Sequence, residues 1–368
     1  MRTHCPANER IKRQYLIYLK EAQRYSEPTI DSVATAIARF EQYNGCKDFK
    51  RFHIQQAVAF KKKLAAQPNV ATGKPLSLAT QRATLNTLRA FFIWLAAQPG
   101  YKSRFTYSDA DYFNLSEKDN RAAQSHTQRP FPSLEQAQHV IRAMPSSTAI
   151  ELRDRALVAF TLMTGCRDGA LVSLKIKHVD LKNQRVTFDA REVDTKFSKN
   201  FETYFLPVGD DVLSIFVDWV AYLTTDHLWA PTDPLFPKTM MAFDAGEGFR
   251  VGGLAREHWT TANAVRRIFR DAFEHAGLPY FHPHSFRHTL AQLGERVCRS
   301  PEEFKAWSQN LGHDHVLTTF NSYGKVSAPR QAEIIRQLGT PNAPAQRDLA
   351  ELLRQAVKVA EGQRLPRT

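Results

Sequence analysis

In the first hundred positions, apolar residues recur at helical spacing, in segments too short to stand alone. Ile11, Tyr15, Leu16 and Leu19 share one helical face; Val33, Ile37 and Phe40 share the next. A third segment, over 52–66, carries the basic run Lys61, Lys62 and Lys63. A fourth, Ser77 to Ala97, places Leu85, Leu88, Phe92 and Leu95 on one side. An isolated helix shorter than about 15 residues is marginal in water, so each stripe needs the others to cover it. The expectation is a small helical bundle over residues 8–112.

The stretch NLSEKDNRAAQSHTQRPFP is polar and aperiodic, and reads as a linker over 113–132. Beyond it, Ser133 and Gln136 have capping-box spacing, and a second domain over 133–340 mixes element types. Leu152, Leu157, Phe160 and Met163 predict a buried helix over 149–164, and alternation predicts strands at Arg185–Phe188 and Phe201–Leu206. Helices are expected over 210–223 and 261–276. The second of these carries Val265, Ile268, Phe269, Ala272 and Phe273, with Gly277 to end it. The glycine-containing segment 238–258 reads as a loop. Ser300, Pro301 and Glu303 start another helix. The tail, 341–368, holds an amphipathic helix with Leu349, Leu352, Leu353, Ala356, Val357 and Ala360 on one stripe. The fold class is therefore mostly α with a small antiparallel β-sheet in the second domain.

No run of about 18 apolar residues is present, so no membrane-spanning helix is expected. The opening MRTHCPANERIKRQ has no signal-peptide pattern, which suggests a cytoplasmic protein. Cys5, Cys46, Cys166 and Cys298 are scattered and form no CxxC pair, so neither a disulfide framework nor a cysteine zinc site is expected. Fifty Lys plus Arg against 37 Asp plus Glu give a net charge of +13. That surplus favours a polyanionic partner, nucleic acid or an acidic membrane surface.

Three segments carry chemistry. TGCRDGALVSL places Arg167 just after a helix; HPHSFRHTL places His284 and Arg287 three apart; LGHDHVLTTFNSYG holds His313 and, ten residues on, Tyr323. Phosphoryl transfer to a tyrosine needs such groups. Guanidinium groups fork onto phosphate oxygens and stay charged. A histidine donates a hydrogen bond or moves a proton, and a phenol attacks once activated. Each residue alone has a plainer reading, as a helix-end charge, a surface pair or a packing tyrosine. Their order and spacing together point to a site.

Together these motifs resemble those of the tyrosine recombinase, or phage integrase, family: Arg in TG-x-R, then H-x-x-R, L-G-H and a nucleophilic Tyr. LSLATQRATLNTLRAFFIWL also resembles the last helices of that family's core-binding domain. The resemblance, over roughly 10–340, implies a SAM-like helical core-binding domain and an α+β catalytic domain. It implies a site-specific recombinase or integrase of a bacterium, phage or mobile genetic element. The partner would be double-stranded DNA, bound at two sites by a homo-tetramer, with no metal or other cofactor. In that reading Arg167, Arg287 and His313 hold the scissile phosphate, His284 acts as general acid or base, and Tyr323 forms a 3′-phosphotyrosine. The family's hairpin lysine falls at Lys196, with Lys199 as rival.

Two departures stand out. The family often has an acidic residue three after the first arginine; here Ala170 stands there, and Asp168 follows Arg167 directly. The gaps from Arg287 to His313 and from His313 to Tyr323 are slightly long, while His288 matches a family position and buttresses the site. Other readings remain. His282, His284, His288, His313 and His315 raise a metal-dependent nuclease, although no acidic cluster accompanies them and the arginines would be unexplained. A non-catalytic DNA-binding regulator on the same fold would be marked by a lost Arg, His or Tyr, and none is lost. Type IB topoisomerases share the chemistry, but the N-terminal helical domain favours a recombinase. The tail stripe is the expected contact between protomers. Removing residues 345–368 should weaken assembly on two DNA sites more than binding to one, as read by gel shift; unchanged synapsis would reject that role.

Overall fold

The computed structural model describes residues 4–69, 72–124, 130–195, 199–244 and 248–312. Lys196, His313, His315, Tyr323 and the tail stripe at 349–360 lie outside the described residues. The chain divides into two compact units, Met1–His126 and Thr127–Thr368.

The first unit is helical. It comprises α1 (Pro6–Ile17, continuing as a π-helical turn to Ala22), α2 (Glu27–Asn44), α3 (Ile54–Ala66), α4 (Leu78–Ala96) and α5 (Glu117–Gln124). Its core is an aromatic cluster around Phe92, whose ring lies 4.2 Å from Phe52, 5.1 Å from Phe113 and 5.5 Å from Phe40, centre to centre. Such pairs add about 0.5–1.5 kcal/mol each beyond the area they bury. One fully buried polar side chain organises the helix ends. Asn8 Nδ2 donates to Glu41 Oε1 (2.9 Å) and to the Lys47 carbonyl (3.0 Å), while Asn8 Oδ1 accepts from Phe49 N (3.0 Å). Glu41 in turn pairs with Lys12 at 2.5 Å, so α1, α2 and the following turn close on one satisfied network.

Helix α5 stands where the sequence reads as linker. It has no buried residue, so no periodicity marks it; its signal is the Ser116–Asp119 cap, where Ser116 Oγ accepts from Asp119 N at 3.0 Å.

The second unit opens with α6 (Leu134–Ala143), capped by Ser133 and Gln136 as expected. Helix α7 (Ala149–Thr164) runs through the core with every residue from Ala156 to Thr164 buried. The single-turn helix α8 (Asp168–Leu171) follows. Strands β1 (Val179–Asp180), β2 (Arg185–Phe188) and β3 (Phe201–Tyr204) form an antiparallel sheet in that order, Val186 facing Thr203 and Phe188 facing Phe201. Leu206 N donates to the Met163 carbonyl at 2.8 Å, fixing the sheet to the end of α7. Helix α9 (Asp210–Ala221) buries Phe216 and Trp219 against α7. Helices α10 (Asn263–His275), α11 (Ser285–Val297) and α12 (Pro301–Asn310) follow among the described residues.

The expected loop over 238–258 is instead a hairpin, β4 (Thr239–Asp244) with β5 (Gly248–Leu254), bulged at Met240/Met241. Gly248, Gly252 and Gly253 leave β5 without an alternating pattern, and Met240 and Met241 are both exposed. Its base is fixed from α7 by Arg153, buried, which donates to the Pro237 carbonyl (2.9 Å) and Thr239 Oγ1 (3.1 Å) while stacking on Trp259. Among the described residues no helix is long and apolar enough to cross a membrane.

Candidate phosphate-binding site

The site begins where α7 ends. Gly165 terminates that helix in the left-handed region (φ 61°) and turns the chain toward Arg167. A side chain at Gly165 would be strained there, and its Cβ would come within 2.8 Å of Leu311 Cδ2 and 3.2 Å of Leu290 Cδ1. Glycine therefore permits both the turn and the approach of α11. Arg167 caps the start of α8, with Ala170 N and Leu171 N donating to its carbonyl.

Arg287, one turn into α11, is buried with 6% of its surface exposed. Its Nη1 donates to the Gly165 carbonyl at 2.7 Å, and its Nη2 donates to the Leu311 carbonyl. Leu311 is held in turn by the end of α12. Asn310 Oδ1 accepts from Tyr204 N (2.6 Å), its Nδ2 donates to the Tyr204 carbonyl (2.9 Å), and its own carbonyl accepts from Thr203 Oγ1 (3.0 Å).

These elements enclose a cleft lined by Thr164, Gly165, Arg167, Ala170, Arg287 and Leu311, by Phe188, Phe201 and Thr203 of the sheet, and by Thr195 of the connection between β2 and β3. Both arginines face it, and no carboxylate is among these lining residues. Burial, and then the positive charge of Arg167, push the Arg287 guanidinium down to about 9, so it remains charged at neutral pH. Two guanidinium groups held together repel, and an anion between them relieves that repulsion. The cleft suits a phosphate, which accepts forked hydrogen bonds from each. Asp168 points elsewhere: its Oδ2 accepts from Arg266 Nε of α10 at 2.8 Å. Cys166, between the two arginines' segments, is buried, and burial pushes its thiol up to about 12, so it stays protonated.

His284 sits at the boundary of α11, three residues before Arg287. Its ring keeps an exposed face, yet the surrounding protein, and then the charges of Arg287, His288, His282 and Arg167, push it down to about 4. His282 and His288 flank it at 6.2 and 5.9 Å between ring centres, and His288 stacks on Phe131. Of the residues singled out by sequence, Arg167, His284 and Arg287 thus come together; Lys196, His313 and Tyr323 fall outside the described residues. Leu311, two residues before His313 in the sequence, lines the cleft. Thr195 and Thr203, which line the cleft, were not singled out as site residues; Thr195 stands in the sequence beside the lysine candidate.

The phage integrase family profile matches residues 133–330. The tyrosine recombinase XerC of Lactobacillus delbrueckii subsp. bulgaricus is 24% identical over 318 residues, covering 84% of this chain and 92% of the relative. XerC of Serratia marcescens is 25% identical over 308 residues, covering 83% and 86%. Among solved structures, a lambda integrase fragment, a dimer bound to a COC′ core site, matches with TM-score 0.57 at 15% identity, over 87% of this chain and 99% of that one. XerH bound to difH substrate in a pre-cleavage complex matches with TM-score 0.56 at 18% identity, over 90% and 84%. At those identities the solved structures speak for the fold. With a profile match spanning more than half of its length, the chain belongs to the phage integrase family.

Proposed function

We propose that this chain is a site-specific DNA recombinase that acts in the cytoplasm, cutting and rejoining strands through a covalent bond between Tyr323 and a DNA phosphate. The observation that carries this reading is the pair of guanidinium groups, Arg167 and Arg287, lining one cleft with His284 beside it. The helical domain, 8–112, and the catalytic domain, 133–340, both contact double-stranded DNA, and four protomers assemble on two sites. The dimer bound to a core site reported for lambda integrase, and the tetramer bound to a Holliday junction, support that assembly.

In the reaction, Arg167, Arg287 and His313 bind the non-bridging oxygens, where charge builds in the transition state. The Tyr323 oxygen attacks phosphorus and the bond to the 5′ oxygen breaks. The phenol proton passes to His284, which is neutral in the free protein and so able to accept it. Lys196 gives a proton to the departing 5′ oxygen. A 5′ hydroxyl of the partner strand then attacks the phosphotyrosine, its proton and that of the phenol travelling the reverse way. The phosphodiester energy is kept in the covalent intermediate, so no ATP is needed, and in this reading the charge a metal would neutralise is met by Arg167, Arg287 and His313.

Tyr323→Phe is expected to leave DNA affinity within about twofold while removing the covalent protein–DNA adduct on a nicked duplex taken from DNA beside the gene. Wild-type adduct levels in that variant would reject Tyr323, and loss of wild-type cleavage in EDTA would favour a metal-dependent nuclease.

The two arginines should separate in their effects. Arg167→Ala is expected to slow cleavage by about 10²–10³-fold with the melting temperature nearly unchanged. Arg287→Ala should lower both, because its guanidinium also holds two peptide carbonyls; melting and single-turnover rates measured together check this.

The His284 ring also predicts a pH arm. Its folded value, about 4, lies below the ordinary 6.5, so between these the unfolded chain binds a proton that the folded chain refuses. Stability should fall as pH drops through that window, and His284→Gln should flatten the fall. Denaturant midpoints at stepped pH measure it; identical pH dependence in both proteins would reject the shift.

A further inference from the structure

Just before α6 the chain runs through Pro130, Phe131 and Pro132, and this short segment is pinned beside the histidines. The Phe131 ring stacks on His288, 5.7 Å between centres with the planes 29° apart. The Pro132 carbonyl accepts from Thr289 Oγ1 at 2.6 Å, and Thr289 is buried in α11, next to His288. Ser133 Oγ then accepts from Gln136 N (3.2 Å) at the start of α6. Pro132 locks its own φ and biases the residue before it toward an extended backbone. The direction of the Phe131 side chain is thus set by a stiff stretch of chain that is anchored one residue on.

The ring contacts continue into the site. The His288 ring meets the His284 ring edge to face, 5.9 Å between centres and 88° apart, and His282 lies nearly parallel to His284 at 6.2 Å and 13°. The His284 backbone is fixed, because its carbonyl accepts from Arg287 N (3.2 Å). Among the described residues, however, no hydrogen bond reaches its ring. An imidazole held in that way has several staggered rotamers open to it, and packing against neighbouring rings selects one. His282 is held through its carbonyl, which accepts from Ser285 Oγ at 2.6 Å. His288 is partly exposed and rests on Phe131. A general acid or base must lie within about 3 Å of the proton it moves, so a ring turned into another rotamer is lost to the reaction even when the fold is intact.

We propose that Phe131 is a positioning residue for His284: by stacking on His288 it steadies the ring that sets the His284 imidazole beside the cleft. This rests on the recombinase reading above, in which His284 moves a proton. The test is a double-substitution cycle read by single-turnover formation of the covalent adduct on a nicked duplex. Phe131→Leu keeps an apolar side chain and removes the ring. It should slow adduct formation by about 10–100-fold, with DNA affinity and melting temperature close to wild type. Phe131→Tyr should recover most of the loss. Because Phe131 acts through His284, the same Phe131→Leu change made in a His284→Gln protein should cost less than about a further twofold. A second measurement uses the free protein with labelled histidines: Phe131→Leu should move the ring resonances of His284 as well as those of His288.

Full multiplication of the two effects, or no slowing by Phe131→Leu, overturns the proposal, as do His284 resonances that stay in place. Where His284→Gln is too slow to measure, the resonances decide. If Phe131→Leu fails to fold, His288→Asn takes its place in the cycle and must show the same loss of additivity. Absence of any wild-type adduct is a different failure: it removes the recombinase reading itself, and the role proposed for Phe131 with it.

Discussion

Everything in the catalytic unit turns on one buried guanidinium. Arg287 reaches from α11 to the carbonyl that ends α7 and to the carbonyl that follows α12, joining segments 122 and 24 residues away. A charge taken out of water needs compensating dipoles, and two peptide oxygens supply part of them. The joint is also the floor of the cleft, so the helix ends that build the core and the site that faces an anion share one side chain. Gly165 makes this possible, since any larger residue would both strain the turn and press on Leu311 and Leu290.

The second consequence is electrostatic. Burial and then the charge of Arg167 lower the proton affinity of the Arg287 guanidinium, and burial and then the charges of Arg287 and its neighbours do the same to His284. A phosphate between the two guanidinium groups would offset the repulsive part of that effect. Arrival of the anion would stabilise both guanidinium groups and draw His284 back toward its ordinary range. Substrate binding and readiness for proton transfer are therefore linked through charge.

Much of this was legible in the sequence, for physical reasons. Helical spacing exposed α2, α4, α7 and α10, because a buried stripe repeats with the helix. Capping boxes at Ser133 and Ser300 marked helix starts, since those side chains bond to backbone nearby. Arg167, His284 and Arg287 were readable through their flanking motifs. What escaped depends on partners far apart or on signals that burial does not write. The β4–β5 hairpin is masked by glycines, and α5 buries nothing. Glu192 meets Lys175, Lys177 and His178 only in the fold. Asp168, the nearest acid to Arg167 in the chain, proves to be engaged with Arg266 instead.

Asn310 has one more effect. Strand β3 is the edge of its sheet, and an edge strand is a ready template for another chain to pair with. The Asn310 amide occupies both the N–H and the C=O of Tyr204, where among the described residues no further strand pairs. The residue that sets Leu311 in place thereby also closes part of an open sheet edge, so the geometry of the cleft and the covering of that edge share one amide.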